Sequence, residues 1–431
     1  MNKEINIFWF RRDLRLDDNT ALFHALSHKN EVLPIFIYDD NILSKLNVND
    51  HRLHFIKESI NHLNLTLSKS KKRIICYRGK PLEIFNDLVS KFEIKKVFTN
   101  RDYTPYSISR DLSIKKFLAK HNIEFIDFKD HVLFEKNEVV KDDGNPYKVY
   151  TPYSRKWISK MSKIGIKEYC SENLTNNLVN VSDIKSHNLI LEDKTMCFLK
   201  TNISEKIIDD YEEIRNFPSL DATSKVGVKL RFGTISTRKL IKRANRSSNK
   251  TYLKELIWRE FFQQILYHFP KTISKSFKPK YDKIEWINNE DKFKKWCNGE
   301  TGYPLVDAGM RELNNTGFMH NRVRMLVGSF LCKHLLIDWR WGEAYFREKL
   351  YDYETASNIG NWQWVAGCGV DASPYFRIFN PHEQLKKFDK NLNYIKKWVP
   401  EFGTSDYTNE IIEHKFARER CLNVYKKALE N

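Results

Sequence analysis

The stretch NIGNWQWVAGCGVDASPYFRIFNP, residues 358–381, places one amide and two indoles within seven positions: Asn358, Trp362 and Trp364. Residues two apart on a helix do not share a face, so we expect Trp362 and Trp364 to face different surroundings, one a cofactor and the other a cavity. An isolated WxW pair in an aromatic-rich chain more often marks two core residues. Motifs elsewhere in the chain must therefore decide between these alternatives.

Four further motifs accompany this stretch: ELIWREFF at Glu255–Phe262, TGYPLVDAGMREL at Thr301–Leu313, TGFMHNRVRM at Thr316–Met325 and LIDWRWGEAYF at Leu336–Phe346. Together with DASPYFRIFNP they resemble the DNA photolyase and cryptochrome family, in that family's order. The resemblance begins at FWFRRDLRLDDN near the start of the chain and extends to its last helices. It is strongest to class I cyclobutane pyrimidine dimer photolyases, and it implies an enzyme, a deoxyribodipyrimidine photolyase, with FAD as cofactor.

Composition sets broader limits. The 431 residues are 41% hydrophobic, which suggests two or three domains. No apolar run is long enough to span a bilayer, and MNKEINIFWF does not read as a secretory signal. The seven cysteines show neither CxxC nor Cys/His metal spacing, so we expect free thiols, a cytoplasmic location and no bound metal.

The net charge of +18 indicates an anionic partner such as DNA, although the Lys-rich composition of the whole chain means that part of this charge is ordinary solvated surface. We expect a monomer.

Strand and helix patterns alternate in residues 1–130. This alternation implies a parallel sheet with helices on both faces, a Rossmann-like α/β domain. By the family resemblance it is a domain of the antenna type. The first turn reads RRDLRLDDN and not GxGxxG, so it is not a dinucleotide fingerprint. The predicted strands are Ile5–Phe10, Val32–Tyr38, Arg73–Tyr77, Lys96–Asn100 and Ile123–Phe128, and the predicted helices are Thr20–His28, Leu53–Leu67, Pro81–Phe92 and Tyr106–Lys120.

Residues 131–205 are polar and weakly periodic, and we interpret them as an interdomain linker. From residue 206 the strand signals disappear and amphipathic patterns repeat. Residues 206–431 are therefore predicted to form an all-helical domain, and the family resemblance implies that this domain binds FAD and DNA. Its clearest predicted helices are Tyr252–His268, Asp307–Asn315, Arg322–Leu336 and Ala344–Leu350.

By the resemblance, TSKVG at residues 223–227 holds the FAD phosphates. Hydroxyls, backbone N–H groups and a helix N-terminus suit a pyrophosphate, although Ser and Thr before a helix are more often simple caps. The family's usual loop is TSRLS, so Lys225 replaces an arginine and Gly227 a hydroxyl, which would remove or move one phosphate contact. Glu354 similarly replaces the family's aspartate. The predicted cofactor-binding residues are Tyr211, Thr223, Ser224, Lys225, Val226, Gly227, Tyr252, Arg324, Asp352, Tyr353, Glu354 and Asn358, with Arg324 ion-paired to Asp352.

Glu255 and Trp258 lie three residues apart and thus share a helix face. An indole that stacks on a base and a carboxylate that accepts hydrogen bonds from its edge suit a pyrimidine site. As a plain surface helix, Glu255 could instead pair with Arg259. The resemblance favours the pyrimidine site, with Trp364 as its second wall. The predicted DNA-binding residues are Arg215, Glu255, Trp258, Arg259, Phe262, Asn321, Arg322, Met325, Trp364 and Gln384.

Asn358 matches the position beside flavin N5. A neutral amide there can hydrogen-bond N5 without supplying a proton or a negative charge, which suits a reduced anionic flavin. Signalling cryptochromes often carry Asp or Cys at this place, so the amide favours repair. His320–Asn321 lacks the paired histidines of enzymes for (6-4) photoproducts, and Met325 agrees with the dimer type. A cryptochrome-like blue-light photoreceptor is the alternative.

The resemblance also implies an electron chain from Trp362 near the flavin through Trp339 to Trp286 at the surface. With it, the predicted catalytic residues are Glu255, Asn358, Trp286, Trp339 and Trp362. A second, light-harvesting chromophore of folate or deazaflavin type is possible near Arg101–Asp111. The Asn-Glu pair of some folate-binding members would fall on Tyr106 and Ser107, so that contact is absent and the antenna's identity stays open.

Overall fold

The structure is a computed structural model that describes residues 4–47, 50–181, 184–191 and 200–430. The chain folds into two compact units, each built from three segments. The first contains residues 1–138, 159–198 and 227–246, and the second contains residues 139–158, 199–226 and 247–431. Of the helices in these described ranges, none combines the length and the apolar character needed to cross a bilayer.

The first unit contains a five-stranded parallel sheet in the order β3-β2-β1-β4-β5. Strands β1 and β2 are mostly apolar, and the central strand β1 is buried on both faces after Glu4, as parallel sheets covered by helices require. The sheet confirms the predicted Rossmann-like fold. The strands are β1 Glu4–Phe10, β2 Glu31–Asp39, β3 Ile75–Gly79, β4 Glu93–Asn100 and β5 Glu124–Phe128.

The remaining regular structure is helical, and no strand occurs in the described part of residues 200–430. The predicted all-helical C-terminal half is thus confirmed. The α-helices are α1 Thr20–Leu26, α2 Asp40–Leu43, α3 His51–Ser68, α4 Pro81–Lys91, α5 Pro105–Lys120, α6 Tyr150–Ile164, α7 Glu205–Asp209, α8 Tyr211–Ile214, α9 Gly227–Phe232, α10 Thr237–Arg246, α11 Thr251–His268, α12 Glu290–Asn298, α13 Pro304–Thr316, α14 Asn321–Ser329, α15 Trp339–Lys349, α16 Thr355–Ala366, α17 Pro381–Phe388, α18 Asn393–Trp398 and α19 His414–Glu430.

The segment predicted as a linker is not a plain connector. It contains α6 and a 3₁₀ helix at Ser171–Asn177, and its residues are shared between the two units. Its residues 182–183 and 192–199 lie outside the described part of the chain. The helix predicted at Arg322–Leu336 also differs, because α14 ends at Ser329 and Phe330–His334 forms a π-helix.

Helices of the second unit pack around a core of large side chains that includes Trp296, Tyr303, Trp339 and Trp362. Two of these helices, α11 and α16, touch where Gly360 meets Phe262. A Cβ added at Gly360 would lie 2.2 Å from Phe262 Cδ1, which is closer than two non-bonded carbon atoms approach in proteins. Position 360 therefore admits no side chain while the two helices keep this separation.

Candidate cofactor and substrate site

One cleft in the second unit gathers residues of α14, of α16 and of the turn before α16. Its empty volume is about 590 Å³, part of it open to solvent. Eight of its lining residues are ones that the sequence predicted for flavin, dimer or electron transfer. They are Asn321, Arg324, Met325, Asp352, Tyr353, Glu354, Asn358 and Trp362.

Arg324 and Asp352 form a two-pronged ion pair at this cleft. Arg324 Nη1 donates to Asp352 Oδ1 at 3.2 Å, and Nη2 donates to Oδ2 at 2.9 Å. Arg324 Nε also donates to the Met319 carbonyl at 2.7 Å, which fixes the plane of the guanidinium. The ion pair predicted from the resemblance is present.

The amide of Asn358 is held by Glu343, a residue that sequence reasoning missed. Asn358 Nδ2 donates to Glu343 Oε1 at 3.1 Å and contacts its carbonyl oxygen at 3.3 Å. Tyr353 Oη donates to the same Oε1 at 3.3 Å, and burial, followed by the Glu343 charge, raises the pKa of Tyr353 to about 12. With Nδ2 engaged in this way, Oδ1 is the end of the amide that can accept a hydrogen bond from a ligand.

Glu354 caps helix α16. Its Oε2 accepts from the Ser357 N–H at 3.0 Å, while its carbonyl accepts the first helical bond from the Asn358 N–H at 2.8 Å. A side chain that satisfies an N-terminal N–H stabilises the first helical turn. Glu354, predicted for the cofactor, therefore also orients the turn that carries Asn358.

The N-terminus of α14 is capped by an uncharged histidine. His320 Nδ1 accepts from the Arg322 N–H at 3.2 Å, and the side chain is 4% exposed. Burial, then the charges of Arg324 and Arg322, lower the pKa of His320 to about 4. Its proton consequently resides on Nε2, which is buried and has no hydrogen-bond partner among the described residues.

The residues predicted for the FAD phosphates form a second group. Tyr252 Oη donates to Ser224 Oγ at 3.0 Å, and the Tyr211 and Tyr252 rings meet edge to face at 5.1 Å. Lys225 has a positive φ of 49° and is ion-paired with Asp221. Val226 is buried and Thr223 half-buried beside it, whereas Gly227 begins α9 in the first unit.

Phe318 lies between the two groups. Its ring centroid is 5.5 Å from Lys225 Nζ and 5.4 Å from Arg324 Cζ. A cation near the face of an aromatic ring is attracted by its electrons. Phe318 thus connects the lysine of the predicted phosphate loop with the arginine of the cleft.

Glu255, expected to face a base, is ion-paired with Arg215. Arg215 Nη1 lies 2.5 Å from Glu255 Oε1, and both side chains are partly exposed. The resemblance had placed Arg215 at the DNA rim and Glu255 in the pocket, and the structure joins the two. The suggested alternative partner, Arg259, is half-buried on the same helix.

Trp258 is half-buried and stacks on Tyr150, with ring centroids 3.7 Å apart and planes within 5°. Phe262 lies one turn further along α11, its ring tilted by 31° at 5.5 Å from Trp258. Tyr150 was not among the predicted site residues. Its only sequence signal is an aromatic position within YKVYTPYSRKW.

Arg322 contributes a further positive charge. It is paired with Asn216 Oδ1, and its Cζ lies 4.5 Å from the Phe388 ring centroid. Burial and the nearby charge of Arg215 lower its pKa. The other predicted DNA contacts, Trp364 on α16 and Gln384 on α17, are half-buried.

The three predicted electron-chain tryptophans lie in or against one core, with Trp339 and Trp362 buried and Trp286 half-buried. The ring edge of Trp362 lies against Gly342, one turn after Trp339 on α15. Among the described ring contacts, the tryptophan neighbour of Trp362 is Trp296, at 6.2 Å and nearly perpendicular. Trp296 was not predicted.

The region predicted for an antenna lies at the carboxyl ends of the strands of the first unit. Two guanidinium groups lie near the ring of Trp9 on β1, with Arg11 Cζ at 4.9 Å and Arg110 Cζ at 4.8 Å from its centroid. Arg11 is ion-paired with Asp111 at 2.6 Å, and Tyr106 donates to Asp39. The side chains of this edge are therefore largely engaged with one another.

Comparison with known proteins decides the family. Residues 6–171 match the family described as DNA photolyase, and residues 252–405 match the FAD binding domain of DNA photolyase. A curated deoxyribodipyrimidine photo-lyase of Agrobacterium fabrum is 36% identical over 97% of each chain. The chain belongs to the DNA photolyase family. The predicted enzyme class, deoxyribodipyrimidine photolyase, and the predicted FAD cofactor are confirmed by these matches.

Solved structures of the photolyase family agree in fold. A bacterial class III photolyase from Agrobacterium tumefaciens has a TM-score of 0.89 at 33% identity and covers 100% of this chain and 99% of its own. An archaeal photolyase from Sulfolobus tokodaii with two FAD molecules has a TM-score of 0.81 at 31% identity, covering 98% and 100%. A Synechocystis cryptochrome has a TM-score of 0.86 at 25% identity, covering 98% and 99%.

The residues of the cleft fit the ring system of FAD. A flavin presents carbonyl oxygens and N–H groups along one edge, and the cleft offers a guanidinium in Arg324, a carboxylate in Asp352 and an amide oxygen in Asn358. The Ser224 hydroxyl and Lys225 ammonium can serve the phosphates. These side chains could therefore hold the flavin ring and the phosphates of FAD.

Proposed function

We propose that this protein repairs cyclobutane pyrimidine dimers in DNA in the light. One observation carries the proposal: Asn321 and Met325, expected at the dimer, line the same cleft as Asn358 and Asp352, expected at the flavin. Groups bound by the two sets would be neighbours, as short-range electron transfer requires. Reduced FAD, when bound, supplies an electron after it absorbs light, and the dimer returns it after its two carbon–carbon bonds have split.

The chain's own residues bind and orient both groups in this proposal. Asn358 offers its amide oxygen to an N–H and adds no charge beside a reduced anionic flavin. Trp258 stacks on the flipped dimer, since photolyases as a group extrude their target bases, and Glu255 accepts hydrogen bonds from the base edge. Arg215 and Arg322 place positive charge where the flanking phosphates would lie, which gives salt-sensitive, sequence-independent affinity.

The photolyase class, the second chromophore, the oligomeric state and the cellular location are further proposals. Class I was predicted from motifs such as HNRVRM, whereas the Agrobacterium tumefaciens structure is named a class III photolyase, so class I stays a prediction. A second chromophore is supported by the Sulfolobus tokodaii photolyase with two FAD molecules, and its identity in this chain stays open. A monomeric state and a cytoplasmic location also stay predictions.

A blue-light photoreceptor is the second candidate, because the Synechocystis cryptochrome shares the fold at a TM-score of 0.86. The two functions differ in what reduced FAD does under light. A photolyase uses the absorbed light energy to split the dimer, whereas a photoreceptor uses it to produce a signal for a partner. The neutral amide of Asn358 favours repair.

The test is dimer loss from ultraviolet-irradiated oligothymidine. Purified protein with chemically reduced FAD is incubated with the oligonucleotide in light or in darkness, and dimers are counted by chromatography. We expect dimers to disappear only in the light. If fully reduced protein binds FAD but repairs nothing in the light, the repair proposal is wrong and the photoreceptor takes its place.

A further inference from the structure

Tyr150 covers one face of Trp258. The two rings are parallel within 5° and their centroids are 3.7 Å apart, so the overlap is close to complete. Trp258 is nevertheless half-buried and not fully enclosed. A planar ligand that stacks on this indole must therefore use the opposite face, unless Tyr150 leaves.

Tyr150 is anchored too firmly to act as a removable lid. Its Oη donates to the Lys254 carbonyl at 2.7 Å, and its N–H donates to Asp371 Oδ2 at 3.1 Å. The ring also packs edge to face on Phe261, and the residue is only 9% exposed. Moving the ring away would break the hydroxyl hydrogen bond and two ring contacts together, while the bond to Asp371 holds the backbone of residue 150, so the stack is a fixed part of the site.

Tyr150 also acts on Trp258 through the backbone of α11. In an α-helix the carbonyl of residue 254 is the acceptor of the N–H of residue 258. The Lys254 carbonyl therefore accepts both the Trp258 N–H and the Tyr150 hydroxyl, while the Tyr150 ring covers the indole. Tyr150 holds Trp258 by ring and by backbone, and the plane of the indole follows from its position.

We infer that Tyr150 is a substrate-positioning residue, which fixes the plane of Trp258 and leaves one indole face for a pyrimidine dimer. The inference rests on the proposed function, because it needs a dimer at Trp258. Tyr150 itself does not touch the dimer; it acts through Trp258. Affinity is higher when the stacking ring is already held in the bound orientation, because no side-chain freedom is lost on binding.

The experiment compares Tyr150→Leu with Tyr150→Phe, both loaded with FAD, in darkness. Affinities for an oligothymidine with one dimer and for the same undamaged oligonucleotide are measured by fluorescence anisotropy. Tyr150→Leu is expected to lower the preference for the dimer by about 3- to 30-fold, a part of the stacking contribution of one base. Tyr150→Phe keeps the ring and is expected to restore most of the preference.

A double-mutant cycle separates positioning from structure. In a Trp258→Ala background, Tyr150→Leu should have no further effect on the preference, because the residue it acts through is gone. Tyr407→Leu is the matched control, a tyrosine of the same unit with a hydrogen-bonded hydroxyl and an edge-to-face partner in Phe402. If Tyr150→Leu loses FAD on purification, Tyr150→Met, whose longer and unbranched side chain adapts better to the space of the ring, replaces it.

The outcomes are distinct. Equal losses on damaged and undamaged DNA, or an additive effect in the Trp258→Ala background, overturn the inference and leave the repair proposal intact. A native protein that binds FAD but shows no preference for the dimer overturns the proposed function, and the inference falls with it. A lower preference that Tyr150→Phe restores supports both.

Discussion

Asn358 Nδ2 donates to Glu343 Oε1 at 3.1 Å, so the amide expected beside the flavin is itself held by a carboxylate. A substitution Asn358→Asp would bring two carboxyl groups together. Like charges this close oppose each other's ionisation, so one of the two carboxyl groups would have a raised pKa. The new carboxyl would then carry a proton or a charge at the flavin, and either opposes the reduced anion.

We therefore expect Asn358→Asp to slow repair under continuous light and to shift FAD toward other redox states. The measurements are dimer loss from irradiated oligothymidine and the absorption spectrum during illumination. Asn315→Asp is the matched control, because Asn315 lies on α13, away from the lining of the cleft, with an exposed amide bonded to the Arg311 carbonyl at 2.8 Å. Equal repair by Asn358→Asp and the native protein would remove Asn358 from the proposed mechanism.

The Arg324–Asp352 pair predicts a change in FAD affinity. Arg324→Met would leave a mostly buried carboxylate without its partner, and a lost charge-assisted bond should weaken FAD binding by about ten- to a hundredfold. Fluorescence titration of the FAD-free protein measures this. Arg311→Met serves as the control, since Arg311 has a similarly exposed pair with Glu401 at 2.6 Å. FAD affinity that falls equally in both variants would indicate general destabilisation.

The core tryptophans predict which residue carries electrons to oxidised FAD. Trp339→Phe should abolish or greatly slow photoreduction with an external reductant, while repair by chemically reduced protein survives. Trp296→Phe is the contrasting variant, because Trp296 contacts Trp362 at 6.2 Å outside the predicted chain. Transient absorption of both variants tests the route. If only Trp296→Phe blocks photoreduction, the electron travels through Trp296 and not through Trp339.

His320 predicts a pH dependence of stability. Its folded pKa, about 4, is below the unfolded value of 6.5, so the unfolded chain binds its proton first as pH falls. The stability contributed by neutral His320 is complete above pH 6.5 and decreases toward pH 4, by roughly 3 kcal/mol over the whole window.

The measurement is the free energy of unfolding in urea at pH 7 and pH 5. His320→Asn keeps a side-chain acceptor for the Arg322 N–H and removes the titration. We expect this variant to lose less stability between the two pH values than the native protein. An identical loss in both would assign the acid sensitivity to other groups, for example His334, whose pKa is lowered to about 3, chiefly by burial.

Sequence patterns predicted the strands and helices better than they predicted the side-chain contacts between them. The strands of the sheet and helices such as α11 follow from β-branched runs and amphipathic periods, which are local properties. The Tyr150–Trp258 stack and the Arg215–Glu255 pair join residues 108 and 40 positions apart, and no local pattern encodes them. Helix α6 was missed because its Lys-rich surface obscures the apolar period in YTPYSRKWISKMSKI.

Substituted residues show the same limit. Glu354 was predicted only as a cofactor ligand that is one methylene longer than usual. Its capping of α16 depends on where the backbone begins to turn, which the pattern alone does not specify. Lys225 was predicted to replace an arginine at a phosphate, and its pairing with Asp221 depends on positive φ angles at both residues.

The missing side chain at Gly360 has a consequence for reaction speed. It lets the phenyl ring of Phe262 on α11 approach the backbone of α16 closely. Electron tunnelling slows steeply with each added ångström. Under the proposed repair function, a methyl group at position 360 would push α11 and α16 apart, lengthen the path between a dimer at Trp258 and a flavin at Asn358, and slow the electron transfer.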